Sequence, residues 1–367
     1  MFNNLSVKND LSKGRFIHIP SDLREPFERD RDRVLHSTAF RKLKDKTQVF
    51  MFEKGDYYRN RLTHTLEVVQ LARSLSRRLG LNEDLSETIA LCHDLGHSPF
   101  GHAGEEVIVK FLDNNFNHNI QSFRQVTILE SKYINYSGLN LSWETLDGII
   151  KHNGPVLNPN YDYNLSKEFS FNLSLNPSLE AQVASLCDDI AYIAHDFDDA
   201  IRSNAISVQQ LKEFKSIYEF SSYEFKEFDN LDMFRNNLTR FLINYLILDI
   251  FEQTKQNIID SNIIYPDEVV MHKYFLVSFS DKSKILVEEL KKFLLNNFYN
   301  SKKVQKGKFE AQKIVKFLID FLKKDHSELP ESWKSKITNQ DIKKRVIIDY
   351  ICGMTDQFAL NFYNKYA

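Results

Sequence analysis

The residues best suited to chemistry lie in one short stretch, Cys92–Glu105, whose sequence is CHDLGHSPFGHAGE. Three histidines, one aspartate and one glutamate fall within thirteen residues of it. Adjacent imidazole and carboxylate groups at His93 and Asp94 can both reach an ion beyond the end of a helix, and this pair of donors suits a divalent transition metal. One such dipeptide alone would usually be structural. The density of ligating side chains here favours a metal site.

Two side chains do not hold an ion, so further ligands are needed from elsewhere in the chain. His64 precedes a helical stripe of apolar residues, where by itself it would be an ordinary capping or partly buried histidine. The segment Ser178–Ile201 contains six acidic residues, one histidine and no Lys or Arg. Asp188, Tyr192, Asp196 (or its neighbour His195) and Asp199 recur there at helical spacing on one face. Either a bound cation or simple solvation would offset their repulsion, and on this segment alone both interpretations stay open.

Composition excludes several classes of protein. The 367 residues carry 48 Lys and Arg against 50 Asp and Glu, a net charge of −2, so the whole chain is no polybasic nucleic-acid binder. The longest apolar run, Phe241–Phe251, is interrupted by Asn244 and Asp249 and is too short to cross a bilayer. The first fifteen residues carry charges where a signal peptide needs an apolar stretch. Three cysteines outside any CxxC pair give no disulfide framework, so a soluble, cytoplasmic protein is expected.

The elements that would position these residues are mainly helical. Glycine and proline are scarce, and apolar residues recur mostly at helical spacing. Asn82 is a plausible N-cap, and Ser98-Pro99 predicts the start of another helix with serine as its cap. Strand-like alternation is confined to Thr47–Phe52 and Tyr133–Leu141. The predicted fold is mainly α with a small β element, and its helices span about 62–79, 82–95, 98–111, 120–133, 142–152, 178–202, 231–258, 282–299, 308–324 and 340–364.

The composition changes near residue 203. Nine of the 11 histidines precede it, whereas Phe, Ile, Asn and Lys in helical patterns follow it. We therefore predict an N-terminal segment at 1–60 packed on a chemical core at 61–202, followed by a helical region at 203–367.

The order of His64, His93-Asp94 and Asp188 resembles the H…HD…D metal signature of HD-domain phosphohydrolases. The likeness extends to bacterial deoxyguanosinetriphosphate triphosphohydrolase-like proteins and is nearly continuous over about 20–202, then patchy. The segments that carry it are Arg29–Arg33, His36–Arg41, Lys46–Phe50, Gly55-Asp56, Arg59–Val68, His93–Glu105, His118–Arg124, Lys151–Pro155, Asp188–Asp196, Asp349-Tyr350 and Gly353–Asp356.

The resemblance implies roles for particular residues. His64, His93, Asp94 and Asp188 match the metal ligands of the family; Asp189 competes with Asp188, but Asp188 has the family's spacing to Tyr192. His102, Glu105 and His118 match residues that position or protonate around the scissile phosphate. Arg61, Tyr192 and Lys151 match phosphate contacts, and Gln48 and Asp196 match groups near the deoxyribose 3′-hydroxyl.

These roles are chemically coherent. Two neutral histidines and two carboxylates would leave coordination positions for water and a phosphate oxygen. His102 precedes Glu105 by three residues on the predicted helix, so the carboxylate can fix the tautomer of that ring.

By resemblance, then, the chain is expected to adopt an HD-domain helical fold and to hydrolyse dGTP, and other deoxynucleoside triphosphates, to deoxynucleoside and inorganic triphosphate. A divalent ion is expected as cofactor: Mn or Mg as the activator, with Fe, Co, Ni and Zn also compatible with mixed nitrogen and oxygen ligands. The region after 203 would complete the substrate pocket and form homo-oligomer interfaces, and a nucleotide effector is a further expectation. Two alternatives remain: another HD-type phosphohydrolase, acting on a nucleotide monophosphate, a cyclic nucleotide or an alarmone, or a weakly active nucleotide-sensing protein.

Overall fold

The structure is a computed structural model that describes residues 1–20, 22–50, 58–157, 159, 169–213 and 231–367. Within these residues the chain forms helices joined by short connections. In chain order the α-helices are α1 (Pro26–Leu35), α2 (Thr38–Lys42), α3 (Arg61–Leu79), α4 (Glu83–Cys92), α5 (Gly101–Phe111), α6 (His118–Arg124), α7 (Trp143–Ile150), α8 (Leu179–Arg202), α9 (Val208–Glu213), α10 (Leu231–Ser261), α11 (Pro266–Met271), α12 (Asp281–Leu294), α13 (Lys302–Lys324), α14 (Glu331–Lys334), α15 (Gln340–Cys352) and α16 (Asp356–Tyr366). Short π-helical turns extend α6 over Gln125–Leu129 and α12 over Leu295–Tyr299.

The mainly α prediction is confirmed, but the small β element is not seen among the described residues. Their only β pairings outside strands are two isolated bridges, Arg15 with Ser142 and Thr47 with Asn60. The predicted strand at 133–141 instead folds back on the end of the preceding helix, because the Leu139 amide donates to the Val126 carbonyl at 2.7 Å. A strand needs a neighbouring strand for its backbone groups, and this segment finds a helix end instead. Residues 51 and 52 of the other predicted strand lie outside the described residues.

Several predicted helix boundaries differ from the structure; the helix predicted from 308, for example, begins at Lys302. Two of the differences have a clear physical cause. Ser98 does not cap α5: the N-cap position falls at Phe100, which has a left-handed backbone with φ of 62°, and the Ser98 hydroxyl donates to the Gly101 carbonyl. The helix predicted over 340–364 is interrupted after Cys352. The Thr355 side chain accepts a hydrogen bond from the Phe358 amide and so begins α16 as a separate helix.

Three helices form the centre of the fold. α3 packs against α4 and α8, and α4 also packs against α8. Their facing sides supply fully buried apolar residues to one large core, among them Leu75 on α3, Ile89 on α4 and Ile193 on α8. A second core joins α5 to the C-terminal helices α13, α15 and α16. Among the described residues, no helix is both long and apolar enough to cross a membrane.

The segment before α3 is attached to this centre by a buried carboxylate. Asp30 on α1 is fully buried and forms an ion pair with Arg15. Its Oδ2 accepts hydrogen bonds from the Ser142 amide at 2.8 Å and from the Thr145 hydroxyl at 2.8 Å. One carboxylate therefore links residues that are more than 100 positions apart in sequence.

Asp30→Ala should destabilise the protein by about 3–5 kcal/mol, because it leaves the buried Arg15 guanidinium without its counter-ion and the Ser142 amide without its acceptor. Urea unfolding followed by circular dichroism measures this change. Asp281→Ala is the matched control, since that carboxylate is 97% exposed on the surface of α12 and should cost less than about 1 kcal/mol. Equal losses in both variants would contradict the structural role of Asp30.

Candidate active site

Histidine side chains gather where α3, α4, α5 and α8 meet. Seven of the chain's 11 histidines belong to this cluster, and each ring centre lies within 6 Å of another: His64, His93, His97, His102, His118, His152 and His195. Five of them form two groups: the first surrounds Asp188, and the second surrounds Glu105. The other two, His152 and His195, lie beside the first group.

The first group consists of His64, His93, Asp94 and Asp188. Their elements place them together: His64 lies in the first turn of α3, which Asn60 caps, while His93 and Asp94 follow the last residue of α4 and Asp188 lies in α8. His64 Nε2 is 2.9 Å from Asp188 Oδ1, and His93 Nε2 is 3.6 Å from the same oxygen. His93 Nε2 is also 3.5 Å from Asp94 Oδ2.

Three histidines and Glu105 make up the second group. Glu105 Oε2 is 3.1 Å from His102 Nδ1, and Glu105 Oε1 is 3.0 Å from His118 Nδ1. The buried His97 ring stacks on His118 with 4.2 Å between ring centres. His102 differs from the others because 70% of its side chain is exposed. The ring nitrogen of His102 that does not face Glu105 is therefore accessible to a bound molecule.

Asp94 connects the two groups. Its Oδ1 accepts a hydrogen bond from Arg61 Nη1 at 2.8 Å and lies 3.2 Å from His97 Nε2, while its Oδ2 faces His93. Arg61 and Asp94 are both nearly inaccessible to water. A buried charge pair of this kind is stable only when further polar partners surround it, and the histidines supply them.

The electrostatics keep the carboxylates of both groups ionised. Burial by itself would raise the pKa of Asp94, but Arg61 and His93 hold it well below its usual value. Burial has the same effect on Asp188, and His93, His152 and His64 reverse it and lower the pKa. For Glu105, hydrogen bonds from His102 and His118 outweigh burial and lower the pKa.

Burial keeps several of the histidines neutral. It lowers the pKa of His97 and of His152, and it lowers that of His195 to about 2. In His93, burial would lower the pKa, but the carboxylates of Asp94 and Asp188 raise it. The two carboxylates thus favour a proton on His93, and a metal ion bound there would have to displace that proton.

The first group fits a divalent metal ion. His93 Nε2 and Asp94 Oδ2 are buried and have no hydrogen-bond partner among the described residues, although each would normally need one. Ligands bound at about 2.0–2.2 Å to one ion lie about 3 Å apart, which is close to the three separations given above. Two histidines and two carboxylates also suit a transition metal.

The candidate substrate residues do not all face the cluster. Asp196 is buried on α8, one turn beyond Tyr192, and accepts a hydrogen bond from the Tyr299 hydroxyl. The rings of Tyr192 and Tyr299 stack with 6.2 Å between centres and 7° between planes. Gln48 has a buried side-chain oxygen without a partner among the described residues.

Lys151 is found in a different contact. Its ammonium lies 2.7 Å from Asp147 and lines a cavity of about 570 Å³ together with the N-terminal residues Lys8 and Lys13. It is the next residue, His152, that faces the cluster, with Nε2 3.4 Å from Asp188 Oδ2. We therefore leave Lys151 out of the phosphate contacts proposed below.

The fold adds to the site four residues for which the sequence motifs predict no role: His97, His152, His195 and Tyr299. His195 Nδ1 lies 3.1 Å from Glu67, and its ring meets His64 edge-on. Three of the four stand within motifs that were recognised, so a complete count of histidines in those motifs was an available signal. No sequence signal pointed to Tyr299, because it lies 103 residues after Asp196 in a helix without a recognisable motif.

Comparisons with known proteins agree with this geometry. Residues 61–193 match the HD domain, and residues 277–365 match the phosphohydrolase-associated domain. The chain is 44% identical over 363 residues to the deoxyguanosinetriphosphate triphosphohydrolase-like protein of Rickettsia rickettsii (strain Iowa), covering 96% of this chain and 94% of the relative. Proteins of the same description from Rickettsia bellii (strain RML369-C) and Rickettsia prowazekii (strain Madrid E) are also 44% identical, with 96% of this chain and 95% of each relative covered.

A helical fold with a histidine and aspartate cluster of this kind defines an HD-domain hydrolase with a divalent-metal site. Within that class, the chain belongs to the deoxyguanosinetriphosphate triphosphohydrolase-like family.

Asp188→Ala should abolish metal binding, because it removes a charged donor that faces both His64 and His93. The metal content of protein purified without chelator and without a nickel column, measured by elemental analysis, tests this expectation. The secondary structure of the variant should be unchanged by circular dichroism.

Asp189→Ala is the matched control, one residue along the same helix. Its carboxylate pairs with Lys291 at 2.7 Å, and 40% of its side chain is exposed. This variant should keep wild-type metal content. Metal loss in Asp189→Ala, with retention in Asp188→Ala, would reverse the ligand assignment.

Proposed function

We propose that the protein is a metal-dependent triphosphohydrolase that converts dGTP, and other deoxynucleoside triphosphates, to deoxynucleoside and inorganic triphosphate. The observation that carries this proposal is the contact between the two groups: Asp94 belongs to the candidate metal ligands and also touches Arg61 and His97 beside the Glu105 group. The proposed cation-binding site and the proposed proton-transfer site therefore adjoin each other at Asp94. Metal-assisted hydrolysis of a phosphate ester uses both.

A triphosphate brings three to four negative charges, which repel an attacking water, so the site must offset them. His64, His93, Asp94 and Asp188 would hold a divalent ion, which when bound supplies positive charge and polarises water and phosphate oxygen. Arg61 adds a buried guanidinium whose Nη1 is held by Asp94 and whose Nε is without a partner among the described residues. We assign Arg61 to the phosphate chain, because a fixed guanidinium recognises phosphate oxygens with paired donors.

His102 is the residue we assign to proton transfer. The ionised Glu105 accepts from Nδ1 of the His102 ring, so Nε2 is the nitrogen presented to a substrate on the exposed side. His118 contacts the same carboxylate and fixes it from the opposite side. In the proposed reaction, water adds to the α-phosphorus and the bond from that phosphorus to the 5′-oxygen breaks. His102 delivers its Nε2 proton to the departing oxygen, and a proton lost by the attacking water returns to the ring.

For the sugar, Asp196 is the proposed partner. Its carboxyl group and the Tyr299 hydroxyl form a polar pair beside the stacked rings of Tyr192 and Tyr299. Burial raises the pKa of Asp196 well above its usual value, and the nearby Asp199 raises it further. A buried group of this type discriminates strongly for a hydroxyl that can complete its hydrogen bonds, here the 3′-hydroxyl of deoxyribose, with Gln48 as a second contact.

The family resemblance also implies an activating ion, self-association and regulation. We propose Mn or Mg as the activator, because both are compatible with a polyphosphate and with carboxylate ligands. We further propose a homo-oligomer, for which exposed apolar side chains such as Phe309 and Phe358 offer contact surface, and a nucleotide effector.

Incubation with each of the four deoxynucleoside triphosphates and Mn or Mg should release deoxynucleoside and intact triphosphate in equal amounts. Ion-exchange chromatography of the products, at early time points, measures both. Stepwise release of single phosphates would refute the proposed reaction. Hydrolysis of a monophosphate, cyclic nucleotide or alarmone in preference to these substrates would assign the site to another HD-type phosphohydrolase, and tight binding without turnover would indicate a sensing role.

His102→Ala and Asp196→Ala should separate chemistry from binding. The first should retain metal and substrate affinity but lose about 10²–10⁴-fold in kcat, the usual contribution of a proton-transfer residue. The second should mainly raise KM, since Asp196 is proposed to hold the sugar rather than the reacting phosphate.

Steady-state kinetics and metal analysis on both variants provide the test. His18→Ala, a change of an exposed histidine outside the cluster, should behave as wild type. If His102→Ala keeps near-native turnover, proton transfer must be reassigned to His118.

A further inference from the structure

Asp356, near the end of the chain, holds the turn that leads to His102. Its Oδ1 accepts from the Phe100 amide at 2.8 Å, and its Oδ2 accepts from the Thr47 amide at 2.8 Å. Phe100 occupies the N-cap position of α5 with a left-handed backbone and makes no side-chain cap hydrogen bond of its own there. Asp356 therefore places a carboxylate at the start of the helix that carries His102 and Glu105, where negative charge is favourable.

Lys46, which precedes α3, also links the turn to the C-terminal region. Its buried ammonium donates to the His97 carbonyl at 2.5 Å and to the Cys352 carbonyl at 2.8 Å. Burial lowers the pKa of Lys46 to about 8. The ammonium form therefore predominates at neutral pH and donates to both backbone carbonyls.

The same turn also touches the proposed phosphate contact. A Cβ atom added to Gly101 would lie 2.6 Å from Arg61 Nη2, so the turn and the guanidinium are in close contact. In addition, the Arg61 amide donates to the Lys46 carbonyl at 3.0 Å. The Arg61 guanidinium is also held outside the turn, by Asp94, so a displacement of the turn would act mainly on His102.

A second buried carboxylate strengthens the attachment of the C-terminal region. Asp349 on α15 accepts from Gln121 Nε2 at 3.0 Å and pairs with Arg124 at 2.5 Å. The intervening residue, Ser122, donates to the His93 carbonyl at 2.9 Å and accepts from the Gly96 amide at 2.8 Å. The C-terminal helices thus contact the turn before α5 directly through Asp356, and they contact the start of α6 beside it through Asp349.

We propose that Asp356 and Lys46, which we call the turn junction, are positioning residues that fix the 97–101 turn and through it the orientation of His102. This inference rests on the proposed function for its kinetic consequence. Neither side chain is proposed to touch the substrate. Their effect is on geometry, and a displacement of about 1 Å can cost roughly 10²-fold in rate.

The first arm of the test measures the turn without any substrate. In Asp356→Asn one of the two acceptor oxygens becomes an amide donor, so only one backbone amide keeps its partner. Hydrogen–deuterium exchange of a peptide spanning residues 97–102 should be at least about tenfold faster than in wild type. Asp341→Asn, the same change at an exposed position of α15, should leave that exchange unchanged.

The second arm is a kinetic cycle with His102→Ala. Asp356→Asn should lower kcat by about 10–100-fold with unchanged metal content and a KM within about threefold of wild type. In the His102→Ala background the same substitution should cost less than about threefold, because the residue through which it acts is gone. Lys46→Met should show the same dependence on His102.

Each result decides the inference. Unchanged exchange of the turn overturns it, and so do equal losses of kcat with and without His102, which would indicate general destabilisation. If wild-type protein hydrolyses none of the deoxynucleoside triphosphates, the proposed function fails, and the exchange measurement still establishes or refutes the role of the turn junction.

Discussion

The site depends on the buried contact between Asp94 and Arg61. The carboxylate cannot be buried without compensation, and three different groups provide it: the Arg61 guanidinium, the His97 ring and the His93 ring. Because these partners come from α3 and from the turn after α4, the charge determines how closely those elements approach. The candidate metal ligands and the candidate proton-transfer residues are neighbours for the same reason. A buried anion must be surrounded by donors, and here the donors are also the reactive groups.

Residues from the last third of the chain complete this arrangement. Tyr299 contacts Asp196, and Asp349 and Asp356 contact the elements around the catalytic turn. Each of these contacts joins residues more than 100 positions apart, and each is buried or partly buried. Low solvent exposure strengthens such hydrogen bonds and makes them costly to lose. The residues matching the phosphohydrolase-associated domain are therefore physically continuous with the site of the HD domain.

The sequence predicted the long helices well because their signals are local. Asn82 caps α4 as predicted, Ser178 caps α8, and Gly80 ends α3 in a left-handed conformation. Local signals failed where a distant group took over a local role. Ser98 looked like a cap, but the Phe100 amide is satisfied by Asp356, 256 residues away, and the helix begins later. Lys151 is a different case. It belongs to a recognisable motif, but its ammonium pairs with a local partner, Asp147, four residues earlier.

Three things could be predicted from the sequence alone: the reactive residue types, the helices that carry them, and the family whose motifs they form. Periodicity and capping act over a few residues, so they can be read along the chain. Only the tertiary structure decided which distant carboxylates and histidines meet: His152 rather than Lys151 turns toward Asp188, and Glu105, which its own helix places beside His102, also contacts His118. The contacts of Tyr299 and Asp356 likewise could not be predicted from local sequence patterns. The physical reason is that buried charges and backbone amides must find partners, and the chain supplies those partners across separations that no local pattern encodes.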